Sequence, residues 1–245
     1  MNDQRSGPLW GGPGAVTAAL ALIFFPLVGM YLVATAMGID EIALLGVVMS
    51  LFVAWTALKV RGSGWGELGM RRGFNRRRTF VLGAVSALGL LVVTSVVSTL
   101  LVNLTGWTPD ISKFDAVRGD VGMLLGGLVV VWTTAAFGEE MLFRGIMLNS
   151  FFDLASGGKG TGRGAWALAL IATSIIFGAA HAYQGIAGSI LTGVVGLGFG
   201  LVYLWTGRNM WVAILAHGIY DTVGFVLVFL SWDKVLAPSL LLGLF

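Results

Sequence analysis

Apolar stretches of about 20 residues recur along almost the whole chain, and nothing constrains its fold more. Each is long enough to cross the hydrocarbon core of a bilayer, where a backbone must satisfy its own hydrogen bonds, so such runs form helices. The pattern predicts spans near residues 15–37, 41–60, 80–103, 121–152, 165–183, 186–206 and 209–231. An apolar tail after Trp232 has the length of an interfacial segment or of part of another crossing. The expected fold class is therefore all-α: a polytopic transmembrane bundle of seven spans, or eight if the tail crosses. No soluble module interrupts the runs, so residues 1–245 read as a single membrane domain.

Composition agrees. Hydrophobic residues make up 57% of the 245 and charged residues 11%, against roughly 25% charged in soluble domains. The 37 glycines follow no triplet period and lie within apolar runs, where they allow close helix contact in lipid. Cysteine is absent, which excludes a disulfide framework, a thiolate metal site and a cysteine nucleophile. The net charge of +3 reflects loop arginines and implies no nucleic-acid partner. Ala34-Thr35-Ala36 resembles a signal-peptidase site, but the apolar run before it is too long for a signal peptide and reads as a retained anchor.

Loop charges predict orientation. Lys59, Arg61, Arg71, Arg72, Arg76, Arg77 and Arg78 separate spans 2 and 3; Lys159 and Arg163 separate spans 4 and 5; Arg208 separates spans 6 and 7. The alternate loops hold Asp40 and Glu41, then a mixed set from Asp110 to Asp120. By the positive-inside rule the N-terminus and the arginine-rich loops are cytoplasmic, with the plasma membrane as the expected location. The Arg71–Arg78 cluster would alternatively bind anionic lipid or a substrate tail. Gly188, Thr192, Gly196 and Gly200 recur every four residues, a stripe for close helix packing or, alternatively, for an extended substrate.

Ionisable groups within a span each cost about 2.5–3.5 kcal/mol to insert, so each needs a local reason. They are Glu139, Glu140 and Arg144 in span 4, His181 in span 5, and His217 and Asp221 in span 7; both histidines of the protein are among them. At 1.5 Å per residue, Glu139 lies roughly 20 Å, His181 roughly 24 Å, and His217 with Asp221 on the order of 12–18 Å from one side of the bundle. Three helices thus bring polar groups to similar depths. Glu140 and Arg144 are four apart and share a face, so they can pair. Glu139 is turned about 100° away and points elsewhere. His217 and Asp221 are also four apart and can reach one atom, water or ion.

Two imidazoles and two carboxylates in a dry cavity suit hydrolysis. A buried carboxylate serves as general base toward water, and the imidazoles hold that water, stabilise an oxyanion or bind Zn²⁺ with the carboxylates. No phosphate loop, nucleophile-elbow serine or H-E-x-x-H pair is present, so no nucleotide or redox cofactor is expected.

These residues resemble a known family. Gly138-Glu139-Glu140-Met141-Leu142-Phe143-Arg144-Gly145 is similar to the EExxxR motif of the CPBP (CAAX protease and bacteriocin-processing, or Abi) family, relatives of the type II CAAX prenyl endopeptidase. Phe177-Gly178-Ala179-Ala180-His181 resembles its FxxxH motif, and His217-Gly218-Ile219-Tyr220-Asp221 its HxxxN/D motif. The likeness spans about 120–225, the expected catalytic core, with a weaker one around Trp65-Gly66-Glu67-Leu68-Gly69. It implies an intramembrane (metallo)endopeptidase that cuts a membrane-associated, in some relatives lipid-modified, peptide or protein near the cytoplasmic side. By motif, Glu139 activates water with His181 assisting, His217 and Asp221 steady the oxyanion or a metal, and Arg144 orients Glu140. Zn²⁺ is the candidate cofactor, with Glu139, His181 and His217 as its ligands. The prenyl-protease branch has Asn where this chain has Asp221, which puts the prenyl-CAAX substrate in question.

Two other classes compete. A non-enzymatic scaffold or immunity protein would keep its function after Glu139→Gln. A proton-coupled transporter would carry polar groups on to both faces, whereas the outer half of each span here is nearly all apolar.

Overall fold

The computed structural model describes residues 8–39, 41–71, 74–158 and 162–231. All regular structure among them is helical, and seven helices or helix runs have the length and apolarity to cross a membrane. Asp40, Arg72, Lys159 and the tail from Trp232 onward lie outside the described residues.

The helices are α1 (Pro13–Met37), α2 (Glu41–Val60), α3 (Arg76–Thr105), α4 (Val121–Val130), α5 (Leu148–Ala155), α6 (Arg163–Ala180), α7 (Gly185–Trp205) and α8 (Met210–Phe229). Polar side chains set three of the starts. Asn75 accepts from Arg78 N at 2.9 Å, Asp120 from Met123 N at 2.9 Å, and Asn209 from Trp211 N at 3.1 Å, each satisfying an amide that has no partner within its helix. Glycines in the left-handed region close α1 (Gly38) and α3 (Gly106).

Two features depart from the α-helical spans that periodicity predicts. Between α4 and α5 the chain runs on as a π-helix over Val131–Met147, so Val121–Ala155 is one continuous 35-residue span. Its i→i+5 bonding widens the turn and favours a shared face for residues four or five apart. Second, α6 ends at Ala180 rather than at 183. His181 is its C-cap, followed by a 3₁₀ turn over Ala182–Gln184 and by Gly185 at φ 75°. The histidine therefore sits in a tight reversal, not inside a helix.

Glycines let the central helices touch. A Cβ on Gly178 of α6 would meet the Ser189 carbonyl oxygen of α7 at 2.4 Å, and one on Gly83 of α3 would meet Leu215 of α8 at 2.6 Å. Gly196 and Gly200 of the stripe face Phe177 and Leu170 of α6, so that part of the stripe serves packing. Because backbone cannot retreat as a flexible side chain can, Gly178→Ala is expected to destabilise the bundle by about 1–3 kcal/mol. Thermal unfolding in detergent measures it, and an unchanged midpoint would refute the close approach.

Trp65–Leu68, where the sequence shows the weaker likeness, forms a 3₁₀ turn docked on the α7–α8 connection. Arg208 Nη2 donates to Glu67 O (2.7 Å), Tyr203 Oη donates to Leu68 O (3.0 Å), and Asn149 Nδ2 reaches Tyr203 Oη (3.2 Å). Gly69, at φ 97°, lies so close to the Arg208 carbonyl that no side chain fits there. The motif clasps the α2–α3 connection to the end of α7 and the start of α8, the helix that carries His217.

Candidate active site

The polar residues of three spans meet around one cavity of about 780 Å³. Glu139 from the π-helix, His181 from the α6–α7 reversal, and His217 and Asp221 from α8 all line it. Its other walls are largely apolar and include Val131, Phe177, Val195 and Phe225. Glu139 is partly buried, facing the cavity within electrostatic reach of His181, His217 and Asp221.

Glu140 turns the other way and is fully buried. Its Oε1 accepts from Arg144 Nη1 at 2.8 Å and from His217 Nδ1 at 2.8 Å. Spacing along the helix predicts the first bond. The second crosses from the π-helix to α8, and nothing in the sequence pattern announces it. Arg144 is held in turn by Gly196 O (2.9 Å from Nη2) and by the rings of Phe177 and Phe199, 4.6 and 5.4 Å from its guanidinium carbon. The guanidinium thus lies between two aromatic faces, where cation–π attraction partly replaces lost hydration. Phe199 also stacks on His217, with centroids 4.6 Å apart and planes 21° from parallel. Sequence reasoning missed Phe199, because one more aromatic residue in a membrane helix carries no distinguishing signal.

The partners determine how each imidazole presents itself. His181 Nδ1 lies 2.8 Å from Phe177 O, and a carbonyl only accepts, so Nδ1 carries the proton and Nε2 remains for the cavity. His217 faces Glu140 Oε1 through Nδ1 and Asp221 Oδ2 through Nε2 (3.3 Å). Both imidazole nitrogens thus face carboxylate oxygens, which accept from whichever nitrogen carries a proton. His217 and Asp221 are thus bonded to each other, rather than separately aimed at a third atom.

Histidine ligands of metals commonly donate their other nitrogen to a carboxylate or carbonyl, and both imidazoles have such a partner. Even so, no three histidine, aspartate or glutamate side chains among the described residues come together closely enough to hold one ion. The donor types suit Zn²⁺, but as arranged they do not form the expected set of Glu139, His181 and His217.

No curated protein and no solved structure matches the chain. Residues 121–223 match the family model described as type II CAAX prenyl endopeptidase Rce1-like. That segment begins with α4 and contains Glu139, Glu140, Arg144, His181, His217 and Asp221. The match supports a protease acting on a peptide or protein in the membrane. Through the segment that builds its polar cavity, this multi-pass membrane protein is similar to the Rce1-like type II CAAX prenyl endopeptidases.

Proposed function

We propose that the chain is an intramembrane endopeptidase in which Glu139 is the general base. The observation that carries this reading is the division of labour between adjacent glutamates. Glu140 is buried and gives its Oε1 to both Arg144 and His217, whereas Glu139 lines the cavity beside both histidines. Glu139 takes a proton from water, and the resulting hydroxide adds to the scissile carbonyl carbon. An N–H at His217 Nε2, beside Asp221, stabilises the oxyanion, worth about 2.7–4 kcal/mol for one such donor elsewhere. The proton on Glu139 then passes to the leaving amine, with His181 assisting, and the C–N bond breaks to give a carboxylic acid and an amine, between which a proton then passes to leave a carboxylate and an ammonium. Glu140 is a positioning residue: it holds His217 through Nδ1, and Arg144 holds Glu140.

No step is routed through a metal. The apolar walls fit an extended peptide with aliphatic side chains or a lipid-modified one. The Arg144–Glu140–His217 network favours hydrolysis over a proton relay, because its charges neutralise one another instead of forming a path to both faces.

The test maps new protein N-termini in membranes carrying the wild-type chain or its His181→Ala variant. Termini adjoining membrane segments should appear with the wild type and vanish with the variant. If the two sets are identical, the proteolysis reading fails. Exhaustive chelation should leave these cleavages intact, as should Asp221→Asn. Loss on chelation with rescue by Zn²⁺, together with an inactive Asp221→Asn variant, would show the metal route instead.

A further inference from the structure

The cavity and the basic loops lie at opposite ends of the bundle. Its rim comprises Gly38 at the end of α1, Lys113 in the loop after α3, and Tyr183 and Gln184 in the α6–α7 reversal. The α3–α4 loop closes on that reversal, with Asp110 N donating to Gln184 O at 2.9 Å. Among the described residues, no lining residue comes from the opposite end, where α2, α5 and α7 finish and α3, α6 and α8 begin. There Leu9 N donates to Asp153 Oδ2 (2.6 Å) and Arg61 lies over Trp10 (5.8 Å), so the N-terminal segment belongs to the same face.

The charges divide along the same line. The face away from the cavity carries Lys59, Arg61, Arg71, Arg76–Arg78, Arg163 and Arg208, against Glu67 and Asp153. The rim side carries Lys113 and Arg118 against Asp110, Asp115 and Asp120. Short loops rich in Lys and Arg stay in the cytoplasm. Granting the proteolysis reading above, we infer that the substrate is a peptide segment presented on the non-cytoplasmic side of the membrane and enters past the Lys113–Gln184 rim. This reverses the cytoplasmic-side cleavage that the family resemblance implies.

The rim is suited to a peptide backbone. Gln184 is buried on the cavity wall, and its Oε1 has no hydrogen-bond partner among the described residues. It can accept an N–H from a chain passing toward Glu139, which would remove the cost of an unpaired buried acceptor.

The natural chain has no cysteine, so single cysteines report without background. Ser112→Cys marks the rim side, with Ala116→Cys as a second reporter, and Glu67→Cys marks the basic face; all three positions are exposed. Thr134→Cys, backed by Thr35→Cys, reports from the cavity. With a membrane-impermeant maleimide on intact cells, the rim and cavity reporters should be labelled, and Glu67→Cys only after permeabilisation. The reverse pattern, or labelling of both faces from outside, overturns the orientation. A labelled rim with Thr134→Cys and Thr35→Cys reactive only in inside-out vesicles overturns the entry route. Labelling does not depend on catalysis, so identical N-termini with wild type and His181→Ala would defeat the proteolysis reading while leaving the orientation standing.

Discussion

Glu139→Gln is expected to lower cleavage by about a hundredfold to ten-thousandfold, the usual contribution of a positioned general base, without shifting the melting temperature. The substitution keeps shape and volume but removes the group that takes the proton from water. Glu139 lines the cavity and makes no hydrogen bond that ties the helices together among the described residues, so the fold loses little. The measurement pairs initial cleavage rates with thermal unfolding of the same preparation. Retained activity would refute the role of Glu139 and favour a scaffold or immunity function. A loss of activity that merely tracks a loss of folded protein would not support it either.

The contrast with the neighbouring glutamate shows how far the sequence could be read. The seven spans follow from hydropathy and length, and the Glu140–Arg144 pair from a four-residue spacing. That spacing survives the change from α to π geometry because a wider turn still brings residues four apart together. The π-helix itself was not legible. Apolar periodicity over Val131–Met147 does not separate i→i+4 from i→i+5 bonding, and no proline or glycine pair marks the change. The end of α6 was misplaced for a related reason: the residue that breaks the path is Gly185, four positions beyond His181, and Ala182-Tyr183-Gln184 carry no stop signal.

Tertiary partners were the least legible. Spacing along α8 pairs His217 with Asp221, and the two do meet, but the shorter bond from His217 goes to Glu140. One helix's pattern cannot announce a partner on another. The inventory of polar groups therefore picked out side chains that line one cavity, while the contact between Glu140 and His217 required coordinates. The sidedness of the cavity was hidden similarly. Loop charges gave an orientation to the chain, but which end of the bundle the cavity opens toward depends on where α6 turns back and where the α3–α4 loop closes on it.

The largest stability effect should come from Arg144→Ala. Glu140 and Arg144 are almost wholly inaccessible, and removing one member of a buried ion pair leaves an uncompensated charge, at a cost of about 3–5 kcal/mol. For a chain of this size that corresponds to a fall in melting temperature on the order of 10 °C. Glu140 would keep only the bond to His217, and the cation between Phe177 and Phe199 would be gone. Stability alone does not separate a packing role from a positioning one, but the double variant Glu140→Leu/Arg144→Met does. Replacing both charges by apolar groups of similar volume is commonly neutral or stabilising, so most of the lost melting temperature should return. Cleavage should not return, because His217 Nδ1 has then lost its acceptor and the imidazole its orientation. Recovery of both properties would show that Glu140 supports the bundle and not the histidine. If Arg144→Ala leaves the melting temperature unchanged, the pair is not structural, and the division of labour between Glu139 and Glu140 fails.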